Sequence, residues 1–172
     1  MTSYHGSCFC GQVEWDVKLE GKNHVLCHCD TCKKLGGGAY SLNQIVPMKD
    51  LKITKGQVKD FTYHGASGKP VHCYHCGSKE SPLPDRWRRG ITDMANAPLH
   101  SWISCYKVQN PLRPNCTSHV YHHQEVLGDQ IVVRTILLDE GKSFEPTAEI
   151  FGKYRLPWVK ESAQTFDIMP PS

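Results

Sequence analysis

Cys27-His28-Cys29-Asp30-Thr31-Cys32, followed by Lys33-Lys34 and the small-residue run Gly36-Gly37-Gly38-Ala39, is the stretch on which the reading of this chain turns. Three thiols this close together, beside cationic side chains, make poor packing and good chemistry. Thiolate sulfur suits zinc, and a tetrahedral site needs its sulfurs crowded within about one turn of backbone. The Cys-x-Cys pair converges from a tight knuckle, and Cys-x-x-Cys adds a third sulfur from the following turn. Three thiolates leave one tetrahedral position open, as in a catalytic rather than a structural site. The rest of the chain reads most easily as scaffold for that triplet.

The length of 172 residues suits one domain with a core of its own. The net charge of +3 is mild and lacks the concentrated basic stripe of a nucleic-acid binder. Residues 1–11 are polar and already hold two cysteines, so no leader peptide is expected, and no apolar run is long enough to span a membrane. A cytoplasmic location is therefore expected, where thiols stay reduced. The cysteine count of nine is odd, which favours metal over disulfides.

Outward from the triplet, Ser7-Cys8-Phe9-Cys10-Gly11 is a second Cys-x-Cys knuckle. Val13, Trp15, Val17 and Leu19 alternate with Glu14, Asp16 and Lys18, the period of a half-buried strand. This places the two knuckles at opposite ends of one hairpin-like unit. Short strands are expected over 39–48, 51–54, 61–64, 71–75, 119–123 and 131–138, with no sustained helical stripe. The fold class is mostly β with little helix. From Lys79 to Pro114 neither a 3.6 nor a 2.0 period persists. This segment holds Pro82, Pro84, Pro98, Pro111, Pro114, Trp102, and Arg86, Arg88 and Arg89 around Trp87. It reads as an irregular surface insertion. The expected organisation is a zinc domain over 1–160, an insertion at about 77–113, and an irregular tail over 161–172.

Taken together, Cys8-x-Cys10, Cys27-x-Cys29-x-x-Cys32 and a later Cys-x-x-Cys resemble the glutathione-dependent formaldehyde-activating enzyme family, which includes centromere protein V. Gly6-Ser7-Cys8-Phe9-Cys10-Gly11 is similar to the opening of that family. Cys32-Lys33-Lys34-Leu35 is similar to the continuation of its catalytic motif, and Thr117 to His123 resembles its later segment, especially in fungal-type members. The resemblance implies a single β-tent-like domain with two zinc ions. Cys27, Cys29 and Cys32 would hold a catalytic ion, and Cys8 and Cys10 with two later cysteines would hold a structural one.

Two later pairs compete. Cys73-Tyr74-His75-Cys76 is a literal Cys-x-x-Cys. With residues 77–113 removed, His75-Cys76 would join Pro114-Asn115-Cys116-Thr117, which resembles the family better. Cys76 and Cys116 are therefore favoured, with Cys73 as the alternative to Cys116, and the intervening segment is either a true insertion or a retained intron. Cys105 has no assigned role.

The implied activity adds glutathione, or a similar thiol, to formaldehyde or a related aldehyde, a carbon–sulfur lyase reaction in reverse. Lys33 and Lys34 are either solvated or placed to meet substrate carboxylates. His28, between two ligands, should point away from the metal. His122 and His123 face opposite sides of a strand and cannot form one ligand pair. The rival reading is a non-catalytic zinc module for interaction, as in centromere protein V. The resemblance leaves oligomeric state open.

Overall fold

The structure is a computed structural model and describes residues 1–65, 67–77 and 116–171. The insertion expected at about 77–113 therefore lies, apart from Gly77, outside the described residues, as do Cys105 and the Arg86–Arg89 cluster. The chain forms β1 (Thr2–Ser7), β2 (Glu14–Leu19), β3 (Asn23–Cys27), α1 (Asp30–Gly36), β4 (Ser41–Pro47), β5 (Leu51–Lys55), β6 (Val58–His64) and β7 (Pro70–Cys76). It continues with β8 (His119–Gln124), β9 (Gln130–Arg134), β10 (Glu145–Ile150) and β11 (Gln164–Thr165). The molecule is mostly β. Among the described residues, no helix is long and apolar enough to cross a membrane.

Two sheets divide these strands. The smaller runs β1-β2-β5, and the larger runs β11-β10-β3-β4-β9-β8-β7-β6. Pairing is antiparallel except where β10 lies parallel to both β3 and β11. The expected hairpin between the knuckles does not form, because β2 and β3 belong to different sheets. The Glu20–Lys22 turn carries the chain from one layer to the other. Between the layers, Trp15, Val17 and Leu19 of β2 pack with Val46, Val120, Ile131, Val133, Leu138 and Phe144. The alternation read along β2 is the alternation observed, with Trp15 and Val17 fully buried.

The larger sheet has two chemically different faces. Paired residues in a ladder share a face, and alternate residues along a strand do so too. Val25 pairs with Asn43 and Asn43 with Arg134, while Cys27 pairs with Ser41. On the neighbouring strands, Val132 pairs with His122 and His122 with Cys73. Cys27, Ser41, Asn43, Arg134, His122 and Cys73 therefore lie on one face. The opposite face carries Ile131 and Val133 into the apolar core. Polar chemistry and apolar packing are segregated across a single sheet.

The turn from β5 to β6 seats the first knuckle. Gly56 has φ +72, and a Cβ there would overlap the Gln12 carbonyl oxygen. The adjacent Gln57 carbonyl accepts from the Gly77 N–H at 3.0 Å. One turn thus braces both Gln12, after Cys10, and Gly77, after Cys76. Gly56→Ala combines left-handed strain with a backbone clash, and we expect it to cost about 3 kcal/mol. Chemical denaturation measures this, and an unchanged midpoint would remove the turn's bracing role.

Candidate functional site

The first cluster forms where the N-terminal knuckle meets β7 and the segment entering β8. Gly11, at φ 71, lets the chain double back. Its N–H donates to the Cys8 carbonyl at 2.9 Å, and the Val13 N–H donates to Cys8 Sγ at 3.3 Å. Cys8 and Cys10 Sγ lie 3.4 Å apart, and Cys10 and Cys76 Sγ 3.7 Å. With Cys116 the four sulfurs lie within 4.8 Å of one another, and all four residues are buried. A tetrahedron of Zn–S bonds of about 2.3 Å has edges of about 3.8 Å, close to this spacing and far from a disulfide. Ser118 fastens the cluster: its hydroxyl accepts from the Phe9 N–H at 3.0 Å, and its carbonyl accepts from the Cys76 N–H at 3.0 Å. Burial pushes the Cys10 thiol up to about 11. At Cys116 burial works in the same sense, but hydrogen bonds from Ser118 and Cys10 prevail and leave it at about 7.

The second cluster forms where β3 runs into α1. Cys27 ends the strand, Cys29 caps the helix, and Cys32 sits in its first turn. The Cys32 N–H donates to Cys29 Sγ at 3.3 Å. This helix was not anticipated in the sequence; it is seven residues long, capped by the Cys29 sulfur and closed by Gly37 at φ 65. Cys27, Cys29 and Cys32 bring their sulfurs within 4.8 Å of one another, and no fourth His, Cys, Asp or Glu among the described residues joins them. Hydrogen bonding to Cys29 and Cys32, together with burial, pushes the Cys27 thiol up. Hydrogen bonds from Cys27 and Cys29 pull Cys32 well down, with the Arg134 guanidinium adding to the effect. Both clusters are suited to hold metal ions.

Cys73 joins neither cluster. Three residues apart on an extended strand, Cys73 and Cys76 face opposite sides of β7, so they cannot share one site. Cys116, rather than Cys73, lies with Cys8, Cys10 and Cys76. Cys73 does lie close to His75 and His119, but that group does not suit a cation. The two rings stack with centroids 4.6 Å apart, and the His119 nitrogens meet the Tyr121 carbonyl and Arg134. Burial, reinforced by Arg134, holds the His119 pKa down to about 2. His122 is buried, whereas His123 is partly exposed and bonds the Gly128 carbonyl, as strand alternation requires. Lys33 is committed to the Tyr154 carbonyl at 2.7 Å and to Asp30 at 2.8 Å, while Lys34 is exposed.

His28 points away from the sulfurs and into a fully buried pair. Its Nε2 lies 2.7 Å from Glu149 Oε2, with both side chains 0% exposed. Glu149 also accepts from the Ser162 and Ala163 N–H groups and meets Arg155 at 3.0 Å. The residue between two cluster cysteines is thereby bolted to β10 and to the segment beyond it. Sequence reasoning missed Glu149, which stands in an otherwise unremarked Glu145–Ile150 strand. It also missed Asn43 and Arg134; the available signal for Arg134 was a lone arginine in the apolar run from Ile131 to Leu138.

Residues 3–95, more than half of the chain, match the family model described as glutathione-dependent formaldehyde-activating enzyme. Among solved structures, the crystal structure of a Rhodobacter sphaeroides protein is similar at 15% identity and a TM-score of 0.46. That match covers 78% of this chain and 87% of that one. None of the curated proteins matches the sequence.

Burial raises the Glu149 pKa, but its donors and His28 outweigh burial and hold the carboxyl below the ordinary carboxylate range. Its stabilising contribution is therefore present at neutral pH and lost as pH falls through that lowered value. We expect Glu149→Gln to cost about 2 kcal/mol at pH 7 by denaturant titration. The difference from wild type should shrink in acid, and a gap that held constant with pH would contradict the pairing.

Proposed function

The chain belongs to the glutathione-dependent formaldehyde-activating enzyme family, and from that premise we propose that it adds glutathione, or a similar thiol, to formaldehyde or a related aldehyde. The reaction is that of an S-(hydroxymethyl)glutathione synthase, in the carbon–sulfur lyase class. Its site is the Cys27–Cys29–Cys32 cluster. The observation that carries this reading is the difference between the clusters: four buried sulfurs in one, three in the other. A set of four closes a tetrahedron and suits a structural zinc. A set of three leaves a corner for substrate.

Zinc held there would supply a coordination position for sulfur and the positive charge that makes an incoming thiol acidic. The protein's own contribution is placement. Cys27, Cys29 and Cys32 act as ligands, not as nucleophiles. The buried His28–Glu149 pair fixes the backbone between two of them, and the capped α1 fixes the third. Holding the thiol beside the aldehyde replaces a chance encounter by a local attack. In the reaction a carbon–sulfur bond forms as the carbonyl π bond opens, and the thiol proton ends on the new hydroxyl. Cys8, Cys10, Cys76 and Cys116 would hold the second zinc, which would tie the N-terminal knuckle to β7 and the segment entering β8 and serve stability. A reducing, cytoplasmic setting would keep all of these thiols free.

Exchange spectroscopy on glutathione and formaldehyde tests the activity. Zinc-loaded wild type should accelerate adduct formation at least about tenfold over the uncatalysed rate. Cys32→Ser should return it to background with the fold retained. Wild type no faster than buffer, with zinc verified in place, would instead favour a non-catalytic zinc module.

A further inference from the structure

Arg134 is a cation buried on a central strand, 6% exposed. Such a charge is costly unless it is paired. Its oxygen and nitrogen partners among the described residues are neutral. The Nη1 group donates to Asn43 Oδ1 at 2.6 Å, and Nε and Nη2 approach His119 Nδ1 at 3.4 and 3.1 Å. His119 gives its other nitrogen to the Tyr121 carbonyl, so it meets the guanidinium as an acceptor. No Asp or Glu among the described residues pairs with Arg134. What remains is sulfur: Nη1 stands 4.0 Å from Cys32 Sγ, on the face that also carries Cys27. Asn43 and His119 hold the guanidinium from two sides, and the Nη1 that donates to Asn43 is also the nitrogen nearest Cys32 Sγ. Beside it, His122 is 6% exposed, its ring 5.4 Å from that of His119, and its Nδ1 has no partner among the described residues.

Resting on the reading of Cys27, Cys29 and Cys32 as a metal site, we infer that Arg134 is the positioning residue that makes the site's open corner selective for an anionic sulfur ligand. A divalent ion with three thiolates carries a net charge of −1, which Arg134 balances. An arriving thiolate adds a second negative charge in a buried setting, where charge is weakly screened. A fixed cation 4.0 Å from one sulfur of the set lowers the cost of added negative charge there and does little for a neutral ligand. The ligand class is therefore anionic, and on the proposed function it is the deprotonated sulfur of a small thiol, whatever the rest of the molecule carries.

Cobalt-loaded protein reports ligand binding through its sulfur-to-metal absorption, without turnover. We would titrate it with 2-mercaptoethanol, which has no carboxylate, and with imidazole as a neutral ligand. Arg134→Gln should weaken mercaptoethanol binding about tenfold or more and imidazole binding less than about threefold. Arg134→Lys should recover most of the mercaptoethanol affinity. Asn43→Asp keeps the shape of its neighbour and cancels the charge of Arg134, so it should behave as Arg134→Gln does even if that variant binds metal poorly. Equal losses for both ligands, or no loss, would overturn the inference. So would a loss for glutathione without one for mercaptoethanol, which would mean that Arg134 reads a carboxylate. A wild-type spectrum that ignores mercaptoethanol would sink the open-corner reading and this inference with it. A responsive wild type with unchanged variants would sink this inference alone.

Discussion

An extended strand sends successive side chains to opposite sides, and that alternation is what keeps two cysteine clusters apart in one small molecule. Along β7, Cys73 and Cys76 part company across the sheet. Cys76 enters the apolar layer, where it meets Cys8, Cys10 and Cys116 beside Trp15 and Val120. Cys73 enters the polar face, which also holds Cys27, Asn43, Arg134 and His122. A four-sulfur set inside a hydrophobic layer suits a structural staple. A three-sulfur set on a face lined by neutral acceptors and one buried cation is the set we propose for chemistry.

The second constraint is how the polar face is held. The triplet spans the end of a strand, a bend and the first turn of a short helix, and none of these is rigid alone. Cys29 and Cys32 are joined through a helix cap, and His28 is fixed by a carboxylate that also gathers the backbone at Ser162 and Ala163. Lys33 adds a bond to the Tyr154 carbonyl. The C-terminal segment is therefore part of the mounting of the site, although it contributes no sulfur to it. A fully buried His–Glu pair is a poor way to gain stability and a good way to define one geometry.

Much of this is legible in the sequence, and the parts that are not share a cause. The cysteine spacing marks both knuckles, and the alternation from Val13 to Leu19 marks β2 and its buried face. Local pattern does not tell which sheet a strand joins. β2 and β3 look like neighbours and lie in different layers, because the turn at Glu20–Lys22 changes layer instead of reversing within one. β1 and β10 are weakly patterned: Gly6 and Pro146 interrupt them, and tertiary pairing with β2 and β3 makes them strands. The helix at Asp30 is too short to show a period. Arg134 meets His119 across 15 positions and Asn43 across 91, and Glu149 meets His28 across 121, separations that no motif records.

We propose that the two sulfur clusters hold two metal ions independently, one with a closed set of ligands and one with an open set. Metal counting on the intact protein by native mass spectrometry tests it most directly. Wild type should carry two zinc ions. A variant with Cys27, Cys29 and Cys32 all replaced by serine should carry one and stay folded. A triple variant that kept both ions, or a wild type whose cysteines proved to be joined as disulfides, would contradict it.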